Sequence, residues 1–383
     1  MNSKFVIDTE VLKQIKSLAK LKKGKTKVPV FDHAKVEIVD DETIAFSVMS
    51  IDGNMGVTKG FRASFTQVSE HDTSFLIPIS LINERKPGNK LIDYEFEEMV
   101  NHDRTRSIVL TYDGIQKKVG TLDVEHYPKF PIPKKAEKKL AIRWDMLERL
   151  NAATISAGKS ETRPILTTVL IDKDKVISTD SHRLFVADNM KGSLVDEQVT
   201  LSAPFVKYIS ENEKGKFFGV LKQDHTYYFV ESLDALYWER IVQGTYPDAE
   251  KLMSINPNYI FSFKDPKELK RVMTECAKLV KGLKNSSVVL TIKDENTVNL
   301  TARDEIGASI EQDLAIDGEQ LRDTDFKIGF SSEYFLDAIK QVSSPKRVTQ
   351  ERIKLSLVGP NRPFHMHGDK DTEFAMLMPV RMY

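Results

Sequence analysis

Three stretches decide the architecture: KFVIDTEVLKQIKSLAKLKKGKTK (Lys4 to Lys27), LAIRWDMLERLNAATISAGK (Leu140 to Lys159) and IFSFKDPKELKRVMTECAKLVKGLK (Ile260 to Lys284). Each opens with a short alternating strand and runs into an amphipathic segment with basic residues near its end. Their starts, at Phe5, Leu140 and Ile260, lie 135 and 120 residues apart. A second landmark follows a similar spacing: LIPISLINERK from Leu76, LSAPFVKYISENEK from Leu201 and IGFSSEYFLDAIKQV from Ile328 each join a strand to a short helix. A third, HYPKFP at Tyr127-Pro128 and TYPDAE at Tyr246-Pro247, marks the ends of the first two copies. Between them lie runs such as KVEIV, TIAFSVM, SIVLTY, TTVLI, VISTD, TYYFVE, SVVLTI, TVNLTA and IKLSLV, whose β-branched content and near period-2 alternation suit antiparallel strands. Three kinds of landmark in register predict an internal repeat. The expectation is an α+β chain of three domains of one fold, at residues 1–136, 137–253 and 254–383, each with two helices packed on antiparallel sheets.

Composition agrees and narrows the function. With 383 residues, 40% hydrophobic and 29% charged, and 18 Gly and 15 Pro, the chain is neither disordered nor collagen-like. No apolar run nears the ~20 residues of a membrane span, and Met1-Asn2-Ser3-Lys4 opens no signal-type apolar core. The one cysteine, Cys276, cannot form an internal disulfide, which suits a reducing, cytoplasmic setting. Fifty-six basic residues balance 56 acidic ones, so a generally basic coat for nucleic acid is excluded. Any attraction for a polyanion must come from the arrangement of charge.

Two of the amphipathic segments show such an arrangement. In the first, Val11, Leu12, Ile15, Leu18 and Ala19 form the apolar stripe, while Lys13, Lys16 and Lys20 lie on another face. In the third, Leu269, Val272, Met273, Cys276 and Val280 form the stripe, opposite Lys267, Arg271, Lys278 and Lys281. The second is mixed, carrying Asp145, Glu148 and Arg149, with Lys159 at its end.

Several stretches imitate catalytic motifs. Ala153 to Ser160 is one residue from the phosphate-loop pattern GxxxxGK[ST], yet the segment ends a helix where that loop must open one. A nucleotide-dependent enzyme using Gly158-Lys159-Ser160 is the competing reading. Asp180, Ser181 and His182 supply the residue types of a hydrolase triad, but neighbours on a strand point to alternate faces. His365 and His367 have no carboxylate-rich companion motif and read as surface histidines, and Cys276 reads as core packing. No catalytic residue, metal or cofactor is expected.

The strings SETRPILTTVLID (160–172), STDSHRLFVAD (178–188), GTYPDAEKLM (244–253), FSSEYFLDAIK (330–340), RPFHMHG (362–368) and FAMLMPVRMY (374–383) closely resemble the bacterial DNA polymerase III beta subunit, the sliding clamp. The versions they are most similar to are those of low-GC Gram-positive bacteria and their phages or plasmids. The resemblance runs the length of the chain and is weakest in the first copy, where FVIDTEVL, VPVF and HYPKFP carry it. It implies a homodimeric head-to-tail ring. Twelve helices, at about 10 Å each, would line a hole roughly 28 Å clear, enough for duplex DNA held by loose phosphate contacts. The implied partners are double-stranded DNA without sequence preference, the replicative polymerase, an ATP-driven clamp loader and other proteins carrying a clamp-binding motif. Such partners dock a short peptide, for which motif position selects Leu166, Thr179, Ser181, His182, Arg183, Leu184, Pro247, Leu252, Met376 and Met378, with Tyr334, Pro363 and Val380 beside them. Expected DNA contacts are Lys13, Lys20, Lys25, Lys159, Arg271, Lys278 and Lys281. Gly60 to Phe75, in the first copy, reads as an altered sheet edge or a loop; a scaffold that no longer encircles DNA is the alternative it raises.

Overall fold

The structure, a computed structural model, describes residues 3–22, 24, 27–68, 73–83, 92–100, 105–160, 162–188, 195, 197–213, 215, 217–249, 253–283, 287–343, 352–368 and 372–381. One order of elements recurs three times, strand, helix, three strands, then strand, helix, three strands, with one further strand, Ser64–Gln67, in the first copy. Among the described residues the named helices are α1 (Thr9–Ala19), α2 (Ile79–Asn83), α3 (Trp144–Ala153), α4 (Ala203–Asn212), α5 (Pro266–Leu279) and α6 (Ser332–Val342). All strand pairs are antiparallel among the described residues, and all nine runs singled out above lie on strands. No described helix is long and apolar enough to cross a membrane.

Local chemistry fixes where the helices begin. Asp8 accepts the Val11 N–H at the start of α1, and Asp265 accepts from Lys267 and Glu268 ahead of Pro266 in α5. Ser331 does the same for Tyr334 in α6. The stripes read from the sequence are buried: Leu12, Ile15, Leu18 and Ala19 in α1, and Leu269, Val272, Met273 and Cys276 in α5. Thr9 joins the buried face of α1, whereas Val11 is half-buried at its margin.

The chain divides into two compact units, Met1–Leu147 with Lys207–Ile241, and Glu148–Val206 with Val242–Tyr383. The division passes through α3 and α4, so the middle copy contributes to both units. The first unit holds a five-stranded sheet, ordered Ser64–Gln67, Lys4–Asp8, Asp93–Val100, Arg106–Tyr112, Ile115–Thr121. It also holds an eight-stranded sheet, in which Met55–Arg62 of the first copy pairs with Ala235–Arg240 of the middle copy. The second unit holds a twelve-stranded sheet, in which Arg183–Ala187 pairs with Glu373–Leu377.

The stretch 60–75 is neither wholly edge nor loop. Gly60 to Arg62 end a central strand, Ser64–Gln67 form the edge beside Lys4 to Val6, and Ser74–Pro78 begins a new strand. Phe61 and Phe75 are buried there, which accounts for aromatic residues amid charge and hydroxyls.

Both tyrosine–proline landmarks are core anchors. Tyr127 packs on Val30 and Leu76 and its hydroxyl donates to the His33 carbonyl at 3.4 Å. Tyr246 packs on Leu170, Ile177 and Leu184 and its hydroxyl accepts the Thr179 N–H at 3.1 Å. Burial pushes both phenols above the ordinary tyrosine value. Each tyrosine also meets a proline-led 3-10 turn: Phe31, from Pro29–Asp32, packs on the Tyr127 cluster, and Ile165, from Pro164–Thr167, on the Tyr246 cluster.

Close packing also sets a stability test. A Cβ added to Gly368 would stand 2.1 Å from the carbonyl oxygen of Val342, the last residue of α6. Backbone cannot yield as a side-chain tip does, so Gly368→Ala is expected to lose about 3 kcal/mol, the upper range of overpacking. A urea midpoint equal to that of the parent would show that α6 is not seated this closely.

Candidate functional site

A cleft of about 550 Å³ lies wholly within the second unit. One wall is the loop after α3, from Ala157 to Leu166; the other comes from the turn Asp180–Arg183 and from Glu333 and Tyr334 in the first turn of α6. The loop is folded back on itself, because the Gly158 N–H donates to the Leu166 carbonyl at 2.7 Å. Leu166 is thereby held in place, 6% exposed, as the apolar floor.

The opposite wall is organised by charge. Arg183 is buried, its Nε 2.9 Å from Asp180 Oδ2 and its Nη1 2.8 Å from Asp337 Oδ2. Its guanidinium carbon sits 4.4 Å from the centroid of the Tyr334 ring, a cation–π contact, and the His182 ring stacks on the same tyrosine at 6.5 Å. Asp180 Oδ1 also accepts the N–H groups of His182 and Arg183. Thr179 Oγ1 accepts the Ser181 N–H and donates to the Arg183 carbonyl. These bonds hold Ser181 at φ +78°, a left-handed conformation uncommon for a side-chain-bearing residue. Burial works to raise the Asp337 pKa, but hydrogen bonds from Lys340 and Arg183 prevail and hold it below the ordinary carboxylate value. Burial raises the Tyr334 phenol.

This geometry answers the catalytic imitations. Asp180 to His182 form a turn, not a strand, and the Asp180 carboxylate serves Arg183 and backbone N–H groups rather than a histidine. No helix opens at Ser160, and the one backbone N–H that Gly158 could offer to phosphate is already bonded. His365 is not a surface histidine: it is 3% exposed and stacked on Phe374 at 4.4 Å. No cluster of potential metal ligands occurs among the described residues. What remains is a half-open, partly apolar cleft with polar walls, suited to an extended peptide carrying apolar anchors.

Comparison with known proteins adds lineage. Residues 256–381 match the model of the DNA polymerase III beta subunit, C-terminal domain. The chain is 23% identical to the beta sliding clamp of Bacillus subtilis (strain 168), over 99% of this chain and 100% of that one. It is 26% identical to that of Streptococcus pneumoniae TIGR4 over 72% of each. Residues 256–381 thus match the C-terminal domain of the DNA polymerase III beta subunit family, and the whole chain is similar to beta sliding clamps. The fold agrees over its full length. The solved Streptococcus pneumoniae beta chain superposes with a TM-score of 0.82, at 20% identity, over 99% of this chain and 100% of that one. A Bartonella birtlesii sliding clamp, solved with griselimycin bound, gives 0.83 at 16% identity over 100% of both.

Of the peptide-contact residues expected for a clamp, Leu166, Ser181, His182, Arg183 and Tyr334 line the cleft. Leu184 and Met376 lie in the core with Tyr246 and Phe374, and Thr179 acts through its bonds to the turn. Met378 is 39% exposed and its N–H donates to the His182 carbonyl, while the Val380 N–H donates to Gly329. Pro247 is exposed and Pro363 half-buried. Leu252 lies outside the described residues, as does Lys25.

Arg183 is the main revision to the sequence reading. An arginine beside a pocket reads as rim, but this one is 5% exposed and neutralised by two carboxylates. Asp337 lies within FSSEYFLDAIK, one of the strings that carry the resemblance, but nothing in that string marks it as the partner of Arg183. Of the expected DNA contacts, Lys13, Arg271 and Lys278 each pair with a glutamate three residues earlier, namely Glu10, Glu268 and Glu275. Those carboxylates were legible at i,i+3 spacing and make the helix faces mixed in charge. Lys20 and Lys281 are exposed at the C-terminal ends of α1 and α5. Lys159 lines the cleft.

Proposed function

We infer that this chain is a sliding clamp: a head-to-tail homodimer of three-domain subunits that encircles duplex DNA and tethers a replicative polymerase through its cleft. It carries out no reaction of its own, and a separate loader opens it. The observation that carries the reading is a strand pairing made twice within the chain and left open a third time. Met55–Arg62 pairs with the last strand of the next copy, Gly56 facing Trp238. Arg183–Ala187 pairs likewise, Leu184 facing Met376. The counterpart in the third copy is the first half of Ser309–Leu321, and the last strand of the first copy is Ile115–Thr121. Among the described residues each of these has a ladder partner on one side alone.

The repeat supplies the register. Gly56, Leu184 and Ser309 each close the preceding hairpin, opposite Met49, Thr179 and Arg303. Trp238 and Met376 each lie two residues past the first paired residue of the final hairpin, Leu236 and Phe374. In the first copy that residue is Ile115, so Lys117 faces Ser309 of the second subunit, and Gln116 faces Ile310. One charge pair fits this register: Lys117 would lie diagonally across from Glu311, on the same face of the joint. A head-to-tail contact made twice closes a ring of two and leaves no sheet edge to associate further. Light scattering over a dilution series tests it. The expected mass is twice the 43.6 kDa of one chain. A monomer persisting at micromolar concentration, with no transfer onto DNA by a clamp loader, would overturn the ring and favour the scaffold.

The hole predicts a second result. Charge reversal at Lys20, Lys278 and Lys281 together is expected to weaken retention on circular DNA and flatten its salt dependence, since each lost phosphate contact removes about 0.9 from the logarithmic slope. Exposed charges add little to stability, so folding is expected to survive. An unchanged slope would mean that α1 and α5 do not face DNA.

A further inference from the structure

The charges on the cleft are unevenly compensated. Arg183 is neutralised in place by Asp180 and Asp337. Lys159 and Arg163, on the loop wall, are exposed, and neither pairs with a carboxylate among the described residues. Counting Glu161, which lies outside the described residues, the loop from Ala157 to Leu166 still carries net charge +1 by sequence. In the first turn of α6, Glu333 is exposed and has no cationic partner among the described residues. The cleft thus presents uncompensated positive charge on its loop wall and negative charge on its helix wall. Leu166 and the Tyr334 ring can hold apolar anchors, but apolar contact is indifferent to chain direction.

We propose that Lys159 and Arg163 select partner peptides carrying an acidic side chain beside the apolar anchors, and that this charge fixes the direction in which the peptide lies. This rests on the clamp reading and deepens it. A carboxylate on the loop side meets two cations; the same group on the α6 side meets Glu333, an added repulsion that separates the two directions. Solvent-exposed pairs are weak individually, so the gain is a matter of specificity and salt dependence more than of total affinity.

The test uses the full chain and four fluorescein-labelled peptides sharing Leu and Phe anchors. Two carry Asp immediately before or immediately after the anchors, and two carry Asn at the same places. By fluorescence anisotropy at low salt, one Asp peptide is expected to bind about three- to tenfold more tightly than its Asn counterpart. That advantage should shrink as salt rises and vanish in a Lys159→Ala, Arg163→Ala double variant, whereas Glu333→Gln should let the other Asp peptide bind better. Equal binding of Asp and Asn peptides at both places would overturn the proposal while leaving the clamp cleft intact. Survival of the advantage in the double variant would overturn it too, by assigning the selection to other groups. If no anchored peptide binds the parent, the cleft reading itself fails.

Discussion

Arg183→Ala is expected to destabilise the second unit by about 3 to 5 kcal/mol, because it leaves Asp180 and Asp337 without their shared buried cation. Peptide binding should fall with it, since the guanidinium also carries the Tyr334 ring that faces the cleft. The charge and the packing can be separated. Arg183→Met with Asp337→Asn removes one of the two carboxylates that lose Arg183, leaves Asp180 to its backbone N–H groups and keeps an apolar stem, and is expected to recover part of the stability while binding stays weak. Denaturant unfolding and anisotropy on the same samples provide both readings. Parent-like stability in Arg183→Ala would place the side chain on the surface after all. The network also has a pH signature. Asp337 has a depressed pKa, so its contribution is present above the ordinary carboxylate value of about 4 and is lost as pH falls through the lower folded value. Asp337→Asn should therefore flatten the acid limb of the stability profile.

The second large effect concerns closure. With cysteines at Gln116 and Ile310, mild oxidation is expected to convert nearly all of the chain into a covalent dimer on a non-reducing denaturing gel. Facing residues of antiparallel strands have Cα atoms about 4.5 to 5.5 Å apart, within the span of a disulfide. The single natural cysteine, Cys276, is fully buried in α5 and does not compete. Each chain would carry one half of both joints, so two disulfides would lock a ring, and a locked ring loaded on circular DNA should stay on it through high salt until the DNA is cut. Gln116→Cys alone should give no dimer. A double variant that remains monomeric after oxidation, while light scattering still reports a dimer, would mean that the register is wrong; one that forms long ladders would mean that the contact does not close.

How much of this was legible in the sequence differs element by element. The stripe Leu269, Val272, Met273, Cys276 is buried as read, because a helix turning every 3.6 residues puts those side chains on one line whatever lies beyond it. The nine strand runs hold for the corresponding reason, a backbone of period two. The threefold repeat followed from spacing alone. The peptide residues did not: they came through resemblance, because the cleft is assembled from segments as distant as Ala157 and Tyr334, and no periodicity links them.

Tertiary structure alone decided three things. It brought Asp337 to Arg183 across 154 residues, turning an apparent rim arginine into a buried, neutralised one. It folded the loop after α3 so that Gly158 bonds Leu166, carrying Lys159 from the end of a segment of mixed charge to the wall of the cleft. It also paired Met55–Arg62 with Ala235–Arg240 and Arg183–Ala187 with Glu373–Leu377, and left Ile115–Thr121 and the first half of Ser309–Leu321 with a ladder partner on one side alone among the described residues. Local order comes from backbone geometry and the alternation of apolar residues, both written in consecutive positions. Which strand or charge becomes a neighbour depends on burying those faces together, and that is decided by the whole chain at once.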